Sequence, residues 1–177
     1  PVMLMHYSDA LGRERQSQYL GNNLDSVVAS QQFFDGWGNL AITSKPAEIP
    51  NRLFGYLKDF ATIATWSDGK MSGLLADYYH TGPGKIFAQG DDYLYPYSQQ
   101  TFEYNPMTRP HETALPGAAF RIGSSQTSIR QYGQNAGSDA ILGALNLRAK
   151  ADDYTAVTTL LPRNSTTRTA TVTLLDQ

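Results

Sequence analysis

The feature that most constrains this chain is a short pattern that returns three times. Tyr7-Ser8-Asp9-Ala10-Leu11-Gly12-Arg13 sets an aromatic residue before an Asp, with Gly-Arg following at a fixed distance. Phe33-Phe34-Asp35-Gly36-Trp37-Gly38-Asn39 repeats the spacing, with Asn39 where the first copy has Arg13. Glu103-Tyr104-Asn105-Pro106-Met107-Thr108-Arg109 is a looser copy, with Asn105 and Thr108 in the Asp and Gly places and Arg109 retained. Internal repetition is informative because each copy must find the same local geometry. The geometry expected here is a hairpin corner. The aromatic ends a strand on the packed face, Asp or Asn accepts hydrogen bonds from backbone N–H groups ahead of it, and Gly takes positive φ before the next strand. Nothing in that mechanism acts on a substrate.

Residue usage points the same way. The chain has 11 Tyr, 7 Phe, 15 Gly and 9 Pro, with few Glu or Lys to furnish a solvated helical face. The reading is a mainly β fold of antiparallel strands and hairpins, with one or two short helices. Strands are predicted over 2–7, 27–34, 40–44, 85–88, 101–104, 128–132 and 166–175, each bounded by turn-forming residues. Helices are predicted over 50–67, where Leu53, Tyr56, Leu57, Phe60 and Ile63 recur at helical spacing, and over 139–150, where Asp139 offers a cap. The glycine-rich stretch over 67–90 predicts loops or hairpins, and no low-complexity tract divides the chain, so 1–177 reads as a single unit.

At 177 residues the chain is long enough to bury a core without disulfides. A formal net charge of −2, evenly spread, gives no basic patch for nucleic acid or for an anionic membrane. There is no cysteine, which removes thiol nucleophiles and zinc-thiolate sites together. No apolar run is long enough to span a membrane as a helix, and the start at Pro1 lacks the basic and apolar regions of a signal peptide, so the chain reads as a piece of something longer.

Tyr-x-Asp-x-x-Gly-Arg at Tyr7, Asp9, Gly12 and Arg13 resembles the YD repeat of RHS-type proteins, and the stretch from Phe34 and Asp35 through Gly38 and Asn39 resembles its Asp-x-x-Gly-Asn variant. The run through Tyr104, Asn105 and Arg109 into Leu115-Pro116-Gly117-Ala118-Ala119-Phe120 is similar to a stretch near the start of RHS-like secreted polypeptides of Bacteroidetes. It departs from that pattern at Met107-Thr108 and at Phe120. The resemblance covers about 7–39 and 101–135. It implies a long strand-rich wall, secreted or at the cell surface, whose repeats close into a shell around a C-terminal toxin or other cargo. The partner it implies is the remainder of the parent polypeptide, and neither the self-cleaving aspartate motif nor the toxin tip is found here. The expected role is therefore non-catalytic scaffolding.

Catalytic patterns are thin. His6, His80 and His111 show no metal-ligand spacing, so no metal or cofactor is expected. Gly82-Pro83-Gly84-Lys85 lacks the first Gly and the following Ser or Thr of a phosphate loop and reads as a turn, and Ser72 sits in Gly-x-x-Ser-Gly, not in a nucleophile elbow. The pairs Asp91-Asp92 and Asp152-Asp153 read as solvated turns. The alternative function is a carbohydrate-binding β module. Tyr93, Tyr95 and Tyr97 alternate, which in a strand places all three rings on one face, either to stack on sugars or to pack across strands. Trp37, Trp66, Tyr78 and Tyr79 admit the same two readings.

Overall fold

In the computed structural model, which describes residues 3–21, 25–63, 68–134, 154–162 and 168–176, the chain is mainly β. The strands are β1 (Leu4–Ser8), β2 (Glu14–Leu20), β3 (Val27–Phe34), β4 (Leu40–Ser44), β5 (Ala47–Ile49), β6 (Thr62–Ile63), β7 (Met71–Ser72), β8 (Tyr97–Phe102), β9 (Pro110–Ala114), β10 (Ser128–Gln134), β11 (Tyr154–Pro162) and β12 (Arg168–Asp176). Among the described residues one α-helix, α1 (Leu74–His80), and short 3-10 turns lie between β7 and β10. A single antiparallel sheet runs β1-β2-β3-β4-β8-β9-β10-β11-β12, with β5 beside β3, while β6 and β7 form a separate ribbon. Apart from the segment between β4 and β8, spatial neighbours are neighbours in sequence. The sheet is therefore a meander, and its successive connections fall alternately at opposite ends of the strands.

The segment between β4 and β8 folds back over one face and makes the core. Val27, Ala29, Ile42, Ala47 and Ile49 from the sheet meet Leu57, Phe60, Ala61, Met71, Leu75, Tyr79, Tyr95 and Tyr97. β3 shows why this face is buried, because Val27, Ala29 and Gln31 point inward while Val28, Ser30 and Gln32 alternate to the other side.

The inward face of β2 carries amides instead of aliphatic groups. Gln16 and Gln18 are wholly buried and Gln31 nearly so. The Gln16 amide donates to the Leu57 carbonyl at 3.0 Å and accepts from the Leu57 N–H at 2.9 Å. Gln18 donates to the Gln16 side-chain oxygen and to the Gly55 carbonyl, both at 2.7 Å. This ladder explains why 50–63 is not the helix its apolar spacing predicts. Its backbone groups are taken by the sheet's glutamines, and Leu53 and Tyr56 of the expected apolar face are exposed. Residues 64–67 and the helix predicted over 139–150 lie outside the described residues.

α1 arises where loops or hairpins were expected. Its first N–H groups donate to loop carbonyls, Leu74 to Asp59 at 3.1 Å and Leu75 to Phe60 at 2.8 Å. Leu75, Ala76 and Tyr79 supply the buried stripe, and Gly82-Pro83 follows its end. The strand expected over 85–88 is instead part of a 3-10 turn (Pro83–Phe87) with Ile86 and Phe87 exposed. Beyond β9 the sheet continues through β10, β11 and β12, where Leu161 and Leu175 are exposed.

Candidate functional site

The three repeated motifs occupy three alternate connections of the meander, β1–β2, β3–β4 and β8–β9, along one end of the strands. In the first, the Asp9 N–H donates to the Arg13 carbonyl and the Gly12 N–H to the Asp9 carbonyl, both at 2.9 Å. The Asp9 carboxylate accepts from the backbone of Leu11 at 2.9 Å and of Arg13 at 3.1 Å, and from Arg13 Nε at 2.8 Å. The second corner repeats the backbone pattern, with Asn39 Nδ2 in the place of the Arg13 guanidinium. Asp35 N–H donates to the Asn39 carbonyl, Gly38 N–H to the Asp35 carbonyl, and the Asp35 carboxylate accepts from Trp37 N, Asn39 N and Asn39 Nδ2. Gly12 and Gly38 take φ of 77° and 89°, where a Cβ is strained.

The third corner is a rebuilt version. Asn105 Oδ1 accepts from Met107 N at 3.0 Å, but an amide lacks the second carboxylate oxygen. Glu103 supplies it, accepting from Asn105 Nδ2 at 2.8 Å and Arg109 Nε at 2.9 Å, and its N–H closes the hairpin on the Arg109 carbonyl. Thr108 stands at φ 43° in the glycine place. Tyr104 does not end a strand on the packed face as the pattern predicts. It lies in the loop and is 95% exposed.

Two shared features are invisible in the sequence. Each hairpin shifts register immediately before its corner, at Tyr7/Ser8, Phe33/Phe34 and Thr101/Phe102, the mark of a β-bulge that turns the strand into the corner. The arginines also reach beyond their own corners. Arg13 stacks over Phe34 at 4.7 Å, on the strand after its own, and Arg109 stacks over Tyr132 of β10 at 4.3 Å. The Arg place in the motif is therefore a stitch between adjacent hairpins as well as an ion pair within one.

The carboxylates are acidified by this geometry. Asp9 is held below its ordinary value first by the Arg13 side chain and then by the backbone N–H groups of Arg13 and Leu11. Burial raises Asp35, but hydrogen bonds from the Asn39 side chain and from the backbone outweigh it and the net shift is downward. Glu103 is lowered first by Asn105 and then by Arg109. All three carboxylates accept hydrogen bonds within their own corners.

The tyrosine face predicted at 93–97 does not form. Gly90–Leu94 is a 3-10 turn capped by Gln89 and Asp92, so Tyr93 is not in a strand, and only Tyr97 begins β8. Tyr95 and Tyr97 are buried, and Tyr93 stacks on His80 with ring centroids 4.1 Å apart. Burial pushes the Tyr79 and Tyr97 hydroxyls up to about 12. Asp92 also receives the Ala118 N–H at 2.8 Å, which makes it a structural cap. Trp66, Asp152 and Asp153 lie outside the described residues. Among the described residues no group of His, Asp and Glu is arranged to hold a metal, and no helix is long and apolar enough to cross a membrane.

What sequence reasoning missed is a groove of about 1220 Å³ between the second and third corners. Its walls include Trp37 and Tyr104, and Ala41, Gln99, Gln100 and Phe102 contribute to its lining. The tips of the three corners, Leu11, Trp37 and Met107, are equivalent positions and are all large, apolar and exposed. Neither a protein-family model nor a curated protein matches this chain.

Proposed function

We propose that this chain is a non-catalytic segment of the β-sheet wall of an RHS-like secreted polypeptide, a scaffold that encloses or presents a toxin or other cargo. The observation that carries the reading is the recurrence of three corners along one end of a single sheet, each preceded by a bulge, the first two with the same closing backbone hydrogen bonds and the third rebuilt around Glu103. A wall assembled from hairpins needs a unit of this kind, since it fixes where each strand stops and links one hairpin to the next through Arg13 and Arg109. The ends of the sheet support the same reading. β1 and β12 terminate the strand order, and β1 exposes Leu4 and Met5 with neither lysine nor proline to blunt its edge.

Amide hydrogen exchange tests the proposal when the isolated chain is compared with the natural polypeptide that contains it. A continuing wall slows exchange along β1 and β12 in the longer protein and leaves β3 and β4 unchanged. Equal exchange at both edges in the two proteins overturns it.

A further inference from the structure

The groove between the second and third corners lies outside the core and is walled in part by the corner residues themselves. We propose that it binds a neutral oligosaccharide, with Trp37 and Tyr104 as stacking platforms and Gln100 as a hydrogen-bonding contact in its lining. The site is distinct from the tyrosine stretch at 93–97 and stands whether or not the sheet continues beyond β12.

Four observations lead there. First, Trp37 and Tyr104 are 76% and 95% exposed and both line this groove, so two large aromatic rings are open on the same concave surface. Second, both rings sit on ordered backbone. The Trp37 N–H is fixed on Asp35, and Tyr104 lies between Glu103 and Asn105, which bond to each other. A ligand therefore meets rings carried on hydrogen-bonded corner backbone. Third, the groove's charges are already matched. Asp35 is occupied by Asn39 and backbone, Glu103 by Asn105 and Arg109, and the His111 ring by the Arg130 carbonyl at 3.2 Å. An ionic ligand finds no counter-charge, which selects a neutral one.

Fourth, Gln100 lines the groove on the face of β8 opposite to the one where Gln99 pairs with the core residue Ile42, and the Gln100 side chain is not hydrogen-bonded within the described residues. An amide offers donors and an acceptor together, as a hydroxyl-rich ring requires. Aromatic faces for the C–H surface of a sugar, beside the Gln100 amide for its hydroxyls, make a saccharide the best-matched neutral ligand. The volume of 1220 Å³ lies above the range of about 300–1,000 Å³ usual for a compact small-molecule site, which favours a chain of rings over a single one.

The test titrates the folded chain with cellohexaose, xylohexaose, laminarihexaose and chitohexaose, with polygalacturonate as a charged glycan and an uncharged proline-rich peptide for comparison. Binding is read by calorimetry and by shifts of the glutamine side-chain amide NMR signals. At least one neutral oligosaccharide is expected to bind, to shift the Gln100 side-chain amide, and to lose about tenfold or more in affinity in both Trp37→Ala and Tyr104→Ala. Leu11→Ala, at the tip of the first corner, is expected to bind normally, and circular dichroism shows that the variants fold. Four results overturn the proposal: no oligosaccharide binding at millimolar concentration, binding unaffected by either ring, preference for polygalacturonate, or binding of the peptide alone.

Discussion

Replacing Gln16 by Leu tests how the sheet holds its covering segment. The Gln16 amide is wholly buried and bonds both backbone groups of Leu57, which lies on a strandless stretch. After Gln16→Leu, Gln18 keeps its bond to the Gly55 carbonyl but loses the Gln16 oxygen, the Gln31 side-chain oxygen loses the Gln16 donor at 3.3 Å, and the main cost falls on the bare Leu57 pair, its N–H and C=O. A buried polar group without a partner costs about 1–3 kcal/mol, or about 2–6 kcal/mol for the pair. Burying an aliphatic side chain in place of the amide returns part of that, and a net loss of about 3 kcal/mol is expected. With a urea slope of about 2 kcal/mol/M this lowers the midpoint by about 1.5 M at unchanged slope. The melting temperature falls by roughly 6–12 °C on the same basis. Exchange of the Leu57 amide should quicken in parallel. Gln32→Leu, on the opposite face of β3, serves as the control and should stay within about 0.5 kcal/mol. If Gln16→Leu is as stable as the parent chain, the amide ladder does not anchor residues 50–63 and the account of their backbone is wrong.

The corners give further expectations. Gly38→Ala puts a Cβ at φ 89° and 3.1 Å from Arg13 Nη1, and thermal melts should show a loss of about 1–2 kcal/mol, against about 0.5 or less for Gly36→Ala, which meets open space. Arg13→Lys keeps the charge but loses the planar stack on Phe34 and the fork on Asp9, and denaturant titration should show a loss of about 0.5–1 kcal/mol. Because Asp9, Asp35 and Glu103 are depressed in the fold, the stability they contribute is complete above the ordinary values of 3.8 and 4.5 and is lost as pH falls through their folded values. Urea midpoints followed downward from neutral pH should drop below that range, and Asp9→Asn should flatten the decline. Tyr79 and Tyr97 are raised, so their contribution is complete below 10 and is lost as pH rises through about 12. An ultraviolet absorbance titration that ionises every tyrosine near pH 10 in the folded chain would contradict their burial.

The elements legible in the sequence were those whose pattern and environment agree. β3 and β4 match the predicted 27–34 and 40–44 because each is bracketed by turn residues and carries apolar side chains inward. β2, Glu14–Leu20, was not found, because a strand written Glu-Arg-Gln-Ser-Gln-Tyr-Leu looks solvated when its buried partners are the backbone groups of a distant loop. The same contact defeated the helix predicted over 50–67, since helical spacing says nothing about which groups will take the backbone hydrogen bonds. The Tyr93–Tyr95–Tyr97 alternation misled because Asp92 and Gln89 cap a 3-10 turn, so the period of two never acts. At the corners, the Asp and Gly roles are local and can be read from spacing. The bulges and the Arg-aromatic stacks join residues 21 and 23 positions apart, Arg13 with Phe34 and Arg109 with Tyr132, and no local pattern encodes them.

These corners solve a register problem. Alternation of apolar and polar residues normally fixes how strands pair, because a slip of one residue turns the inward set outward. β2 and β8 carry Gln, Ser and Thr at many positions, so for them that penalty is weak. A corner with five closing hydrogen bonds and a required positive φ restores it locally, since a slip would separate Asp9 from Arg13 and place a residue with a Cβ where Gly12 stands. The stack of Arg13 on Phe34 then carries the constraint to the next hairpin, whose own corner begins at the following residue. Register is thereby carried from the first hairpin to the second, and by Arg109 from the third corner to β10, at one end of the strands. The strand faces need not encode it, and they are left free to carry glutamines where the fold or a ligand can use them.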